Sequence, residues 1–211
     1  MKKIVTFGLI GGTLFLFFQK GVVAQNKGAE GTKCSSYINN SLGFKVGYEG
    51  TLIQRSKNEY VIKLPASVNS LAISRNEVHI FVDQRPFVDL PGTYGGKLYL
   101  DGPESSRLMK NRIYVDTTGS DSVKFIREYW VVYAGMGAWE CVTNCCTQNA
   151  DRYYLLSLVN DIIAGKPGEI IDGKKLTSEE LKAKLLGEMQ DTLNVMVQEF
   201  NRIVRSFEID K

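Results

Sequence analysis

The chain has 211 residues, with 26 lysines and arginines against 23 aspartates and glutamates, and a formal net charge of +3. The first 24 residues hold three of the lysines and no acidic residue, so the remainder carries 23 charges of each sign. This balance excludes the net basic surface on which binding to a phosphate backbone depends, and we expect no nucleic-acid partner.

Residues 1–24 have the pattern of a secretory signal peptide. Lys2 and Lys3 precede an apolar run over 4–18, and a site of small residues ends at Ala24. An uncleaved anchor is the alternative, but this run is shorter than the roughly 20 residues that a membrane-spanning helix needs. We therefore expect cleavage after Ala24, no transmembrane span in the mature chain, and a periplasmic or secreted protein.

Residues 25–41 are small and polar, which predicts a flexible lead-in to a single domain over 42–211. The lead-in contains the first of four cysteines, Cys34, and the other three are Cys141, Cys145 and Cys146. Export to an oxidising compartment favours disulfides, and we expect one of them to join Cys34 to the 141–146 segment. Four cysteines allow three pairings, and the pairing stays open. Free redox-active thiols and zinc are the alternatives, but C-x3-C-C lacks the second ligand pair of a zinc site, so no metal is predicted.

Short segments rich in β-branched and aromatic residues follow, separated by prolines and glycines. They predict antiparallel strands with one solvated face. The predicted strands, in chain order, lie at 43–49, 51–55, 60–64, 78–83, 97–100, 112–117, 123–134 and 153–159. The strand at 123–134 is the longest and most apolar and is expected at the centre of the sheet. A small hairpin is predicted at 166–175, where Pro-Gly and Asp-Gly form two turns.

The last 35 residues predict a helix. Thr177 and Glu180 form a capping box, and Leu176 is placed to pack on Leu181. Apolar residues then recur every three or four positions over about 27 residues, which predicts one long amphipathic helix lying across the sheet. A partner-binding or coiled-coil helix is the alternative. Together, strands and helix predict the α+β class.

Two short stretches resemble the PsbP-like superfamily. They are the opening strand GFKVGY at 43–48, similar to the superfamily's G-F-x-[VI]-x-Y, and the end SFEI at 206–209, similar to its S-F-x-[IVF]. The resemblance implies an antiparallel meander with helices packed on it. It also implies a non-catalytic accessory or binding role beside a membrane or envelope complex. It transfers no binding residues.

Reaction chemistry has few candidates in this chain. His79 is the only histidine, no G-x-S-x-G elbow is present, and the loop at 92–97 has one residue too few for a Walker A loop. We predict no catalytic residue and no cofactor. The competing hypothesis is a thiol-dependent or other hydrolytic enzyme that uses Cys145 or Cys146 with His79.

Aromatic residues cluster between 129 and 154, a grouping typical of a ligand cleft, although the core of a β-sheet uses the same residues. The candidate ligand-binding residues are Trp130, Trp139, Tyr153 and His79. The resulting expectation is an exported binding or accessory protein, stabilised by disulfides, whose partner is an envelope protein complex or a small ligand.

Overall fold

The computed structural model describes residues 34–65, 77–92, 96–103, 105–171, 173–191 and 194–210. The predicted signal peptide at 1–24 lies outside these residues. Within them, no helix combines the length and apolar character required to cross a membrane.

A seven-stranded antiparallel sheet forms the centre of the fold, with the strand order β3-β4-β5-β11-β10-β9-β8. Its strands are β3 (Thr51–Ser56), β4 (Glu59–Lys63), β5 (Glu77–Asp83), β8 (Tyr114–Gly119), β9 (Lys124–Gly135), β10 (Ala138–Asn149) and β11 (Arg152–Ile163). The α+β class predicted from the sequence is confirmed, and each predicted strand in this region corresponds to an observed one. The central position expected for 123–134 is wrong, because β9 lies next to the edge strand β8.

The three strands β9, β10 and β11 have twelve residues each and form a continuous meander. Two tight turns join them, with positive φ at Met136 and Gly137 in the first and at Ala150 in the second. A pair of positive φ values is typical of the two-residue turns whose twist matches that of a hairpin. No strand is predicted from the sequence over β10, where the cysteines are expected to form disulfides.

A three-stranded sheet packs at one end of the core, in the order β1-β2-β14. These strands are β1 (Ser35–Asn39), β2 (Phe44–Tyr48) and β14 (Glu208–Ile209). Prediction of a flexible lead-in up to residue 41 is wrong for β1, whose five residues all pair with β2. The two stretches that resemble the PsbP-like superfamily are neighbours in space, since Glu208 pairs with Lys45 and Ile209 with Phe44.

Two helices, not one, follow the sheet: α2 (Ser178–Gln190) and α3 (Val195–Ser206). The predicted capping box at the start of α2 is present, with Glu180 N donating to Thr177 Oγ1 and Thr177 N donating to Glu180 Oε2. The prediction of one continuous helix is wrong because Asp191 ends α2 in an extended conformation. Asn194 then begins α3 by accepting a hydrogen bond from Met196 N.

The central sheet has two covered faces, which we name by what covers them. The helix face carries Ile80, Leu156 and Cys145 in adjacent strands and packs against α2 and α3. The hairpin face carries the alternate residues. It packs against the short strands β6 (Phe87–Val88) and β7 (Leu98–Tyr99), the one-turn helix α1 (Ser105–Leu108) and the 3₁₀ turn Met109–Asn111. The hairpin predicted at 166–175 is confirmed as β12 (Ile170–Ile171) and β13 (Lys174–Lys175).

Phe207, which directly follows α3, joins the small sheet to the large one. Its ring is fully buried and lies 5.2 Å from the ring of Phe44 in β2, 5.8 Å from Phe125 in β9 and 5.9 Å from Tyr154 in β11. Aromatic pairs at such separations add stabilisation beyond the area they bury. The C-terminal segment is thus part of the core.

We predict that Phe207→Ala lowers the free energy of unfolding by about 3–5 kcal/mol, because it leaves a cavity between the two sheets. The control is Ile163→Ala, an apolar residue that is 62% exposed, which should change it by less than about 0.5 kcal/mol. Urea unfolding followed by tryptophan fluorescence measures both. A loss for Phe207→Ala as small as that of the control would show that this cluster does not support the core.

Candidate functional site

The four cysteines lie in different environments, and all four are free. Cys34 is exposed, and its Sγ lies 3.2 Å from Arg202 Nη1 and 3.6 Å from Glu49 Oε1. Cys141 and Cys145 are buried on the helix face, and Cys146 packs on the hairpin face. The predicted disulfides are therefore absent from this structure.

Strand geometry explains why β10 cannot hold a disulfide within itself. Cys141 and Cys145 are four residues apart in an extended strand, a separation of about 13 Å, whereas a disulfide needs Cα atoms roughly 4.4–6.8 Å apart. Cys145 and Cys146 are adjacent, so their side chains point to opposite faces. Cys34 lies outside the sheet, against α3.

Burial also keeps these thiols protonated. It raises the pKa of Cys141 to about 12 and raises the pKa of Cys145 and of Cys146 well above the ordinary thiol value. A protonated thiol is a weak nucleophile, so these cysteines have the character of packing residues.

The proposed pairing of Cys145 or Cys146 with His79 is wrong in its geometry. His79 lies in β5 on the hairpin face, while Cys145 faces the helices. Cys146 shares a face with His79, but β11 separates their strands, and the Cys146 thiol points to the carbonyl oxygen of Phe87 at 3.9 Å. His79 Nε2 instead lies 3.3 Å from Glu77 Oε2.

The predicted aromatic cleft is also not formed. Trp130 is fully buried on the hairpin face, where its Nε1 donates to Glu128 Oε1 at 3.0 Å. Trp139 is fully buried on the helix face, where its Nε1 donates to the carbonyl oxygen of Gly165 at 2.9 Å. Tyr153 lies on the same face as His79, two rows along the sheet. The four residues therefore do not line one cavity, because the tryptophans belong to opposite faces.

A row of polar residues crosses the hairpin face at the level of His79. Strand pairing places Ser157 beside His79, Asn144 beside Ser157 and Glu128 beside Asn144. Ser157 and Asn144 are fully buried and Glu128 is 3% exposed. Buried polar groups of this kind need partners, since an unpaired one costs on the order of 1–3 kcal/mol.

Asp89, which follows β6, covers this row. Its carbonyl oxygen accepts from Asn144 Nδ2 at 2.7 Å, and the Ser157 hydroxyl approaches its carboxyl group without a well-aligned hydrogen bond. Burial raises the pKa of Asp89, against the opposing effects of His79, Ser157 and Lys97. The row therefore attaches the β6–β7 hairpin to the sheet. Among the described residues, no group of three or more His, Cys, Asp or Glu side chains is placed to hold a metal ion.

A cavity open to solvent lies at the β8 end of the central sheet, and we call it the edge groove. It has a volume of about 570 Å³, within the usual range for ligand sites. Its floor is the second half of β9, one wall is the first half of α2, and one end is the segment that leads from the 3₁₀ turn into β8. The lining residues are Lys110, Arg112, Ile113, Val131, Val132, Tyr133, Ser178, Glu179, Lys182, Ala183 and Leu186.

The groove exists because β8 is half as long as β9. β8 pairs with Lys124–Tyr129 of β9, and the next backbone contact, from Ile113 N to the carbonyl oxygen of Tyr129 at 3.0 Å, is the last one before the chain turns away. In the part of the chain that the structure describes, no strand continues along β9 beyond that point. α2 lies over this edge, and its residues Ala183 and Leu186 line the groove.

The groove combines apolar and basic surface. Ile113, Val131 and Leu186 supply apolar atoms, and Lys110, Arg112 and Lys182 supply positive charge. Lys182 Nζ lies 3.1 Å from Glu179 Oε1, and Arg112 Nη1 lies 3.4 Å from Glu128 Oε2. Sequence reasoning missed this site. Its only signal was the difference in length between the predicted strands 112–117 and 123–134.

Comparison with known proteins gives a likeness of fold only. No protein-family model and no curated protein matches this sequence. The chain is similar to a crystal structure from Bacteroides thetaiotaomicron VPI-5482, with a TM-score of 0.44 and 9% identity over 83% of this chain, and it spans only 48% of that structure.

The chain is also similar to the solution structure of cyanobacterial PsbP (CyanoP) from Synechocystis sp. PCC 6803. The TM-score is 0.41 and the identity 13%, over 88% of this chain and 98% of that one. This weak likeness agrees with the PsbP-like resemblance of the two ends of the sequence, and it says nothing about ligand or activity.

We predict that iodoacetamide modifies Cys34 alone in the native protein purified without reductant, and all four cysteines after unfolding. At pH 8 a thiol with a pKa near 12 is ionised in about one molecule in ten thousand, and burial also blocks access to it. Intact-mass and peptide mass spectrometry check this. Rapid native labelling of Cys145 or Cys146, or a mass two hydrogens lower per disulfide, would contradict it.

We predict that Asp89→Asn becomes more stable relative to the wild type as pH rises from about 4 to about 7. Because the folded-state pKa of Asp89 is raised, the unfolded chain ionises first and wild-type stability falls across this range. The control is Asp101→Asn: Arg85 lowers the pKa of Asp101, so the effect of this group on stability changes mainly below about pH 4 and should be nearly constant across this range. Urea titrations at both pH values measure the differences, and equal pH dependence for the two variants would refute the assignment.

Proposed function

We propose that this protein is an exported, non-catalytic binding protein that holds its ligand in the edge groove. Export is supported by the leader pattern at 1–24. The observation that carries the binding site is the groove itself, a cavity of about 570 Å³ that joins apolar floor and wall to basic side chains. Ligand sites commonly have this composition, with an apolar lining and a few placed polar groups.

The residues with reactive chemistry support binding over catalysis. The three thiols of β10 are buried with raised pKa values, and the only histidine is bonded to Glu77 on the hairpin face, away from the groove. The groove contains no histidine or cysteine. Its charged groups are lysine, arginine and glutamate, which suit recognition of an anionic ligand.

Ala183 provides a direct test, because it is exposed, faces the groove and is small. We predict that Ala183→Trp weakens binding of small aromatic acids by about tenfold or more, since the indole occupies the space they would fill. Ligand-observed NMR with a fragment set of aromatic acids, amines and neutral compounds measures this.

The matched control is Lys184→Trp, which adds the same side chain to the next position of α2, outside the groove lining. It should leave fragment binding unchanged. If no fragment class binds the wild type, or if Ala183→Trp and Lys184→Trp bind fragments equally well, the edge groove is not the binding site.

A further inference from the structure

The floor of the edge groove is an open strand edge. Tyr114 pairs with Tyr129, and the carbonyl oxygen of Tyr129 accepts from Ile113 N at 3.0 Å, so the backbone groups of Tyr129 point towards β8. In a regular antiparallel strand this direction repeats every second residue. The N–H and C=O of Val131 therefore point into the groove, while those of Val132 point to β10, where Val132 pairs with Glu140.

An unpaired strand edge is a template for another extended chain. A segment placed in the groove would lie end to end with β8 and antiparallel to β9, with α2 above it. The side chains it turns towards α2 would meet Ala183 and Leu186, where a small residue leaves room for them. The alternate side chains would point towards solvent, as is usual for an edge strand.

The opposite edge of the sheet is less suited to strand addition. β3 has a register shift between Gln54 and Ser56, and β9 has one between Tyr133 and Gly135, so in both strands regular pairing is confined to the residues before the shift. The last four side chains of β3 are exposed, so an added strand there would have little apolar surface to pack on. Among the described strands, β9 thus offers the sheltered edge.

Charge selects the kind of peptide. The groove lining holds three basic side chains and one acidic one: Lys182 is paired with Glu179, Arg112 is paired with Glu128 outside the lining, and a net positive charge remains. Lys110 and Arg112 stand where the added strand would approach β8. Acidic side chains in that strand would complement them, whereas basic ones would be repelled.

Resting on the proposed function of the groove, we infer that its ligand is an extended, acidic segment of another protein, which adds to the second half of β9 as an antiparallel strand. Main-chain hydrogen bonds to β9 provide affinity, and the lysines and arginine of the walls provide the preference for acidic residues. The groove thus recognises both the backbone of the partner segment and its acidic side chains.

The test uses a fluorescein-labelled octapeptide of alternating valine and glutamate, and anisotropy with the full mature protein. Two further peptides carry backbone N-methyl groups, one on every valine and the other on every glutamate. Only one alternate set of N–H groups can face β9, so we expect one methylated peptide to lose binding and the other to keep it. If both methylated peptides bind as tightly as the parent, strand addition is wrong.

The charge preference is tested with paired variants. Lys110→Glu combined with Lys182→Glu should weaken binding of the parent peptide by about tenfold or more. Lys175→Glu combined with Lys184→Glu makes the same change in net charge outside the groove and should have little effect. Equal weakening by both double variants, or equal binding of a valine–lysine octapeptide, would overturn the acidic specificity.

These outcomes separate the two proposals. Peptide binding that Ala183→Trp abolishes but N-methylation does not change would retain the groove and reject strand addition. If the peptide and the aromatic acids bind Ala183→Trp as tightly as they bind the wild type, the edge groove is not the binding site.

Discussion

The structure depends on the pairing of three strands of equal length, β9, β10 and β11, over twelve residues each. This meander provides both surfaces on which the remaining elements pack, with α2 and α3 on one and the β6–β7 hairpin on the other. β8, the neighbour of β9, has only six residues. A six-residue strand beside a twelve-residue one leaves half an edge open, and α2 shelters that half without pairing with it.

The two faces of the meander are held by different interactions. On the helix face, aromatic and aliphatic side chains form a dry core that includes Cys141 and Cys145, so these thiols serve as small apolar residues. On the hairpin face, Ser157, Asn144 and Glu128 are buried beside the partly exposed His79. Such groups are costly to bury without partners, and two bonds offset part of that cost: Asn144 donates to the backbone of Asp89, and Trp130 donates to Glu128. The buried thiols thus contribute to packing, and the polar row contributes to the attachment of the β6–β7 hairpin.

Much of the fold could be predicted from sequence, and the failures have physical causes. Alternation of β-branched and aromatic residues marked the strands of the sheet except β10. In that strand, Thr143, Asn144 and the cysteines are buried without an apolar pattern, because Asn144 is paired with Asp89 and Glu128 across the face. The apolar stripe of the C-terminal region continues from α2 to α3, so periodicity alone could not show that Asp191 and Asn194 separate two helices. The capping box at Thr177 was predictable because it is local.

The site was less predictable than the fold. Cysteine spacing indicated disulfides, yet the thiols point from different faces of one strand, which only the register reveals. Trp130 and Trp139 are close in sequence but fall on opposite faces, because nine residues and an intervening turn separate them. The edge groove arises from a difference between two strand lengths and from the position of α2, and the second of these is a tertiary property.

The central claim is that the second half of β9 presents unpaired backbone groups to a partner. Amide hydrogen exchange at the adjacent residues Val131 and Val132 tests it most directly, since their N–H groups point to opposite sides of the same strand. An open edge at Val131 predicts fast exchange there and slow exchange at Val132 in the free protein, with Val131 becoming slow when the valine–glutamate peptide is added. Equal, strong protection of both amides in the free protein would show that this edge is already occupied and would contradict the account.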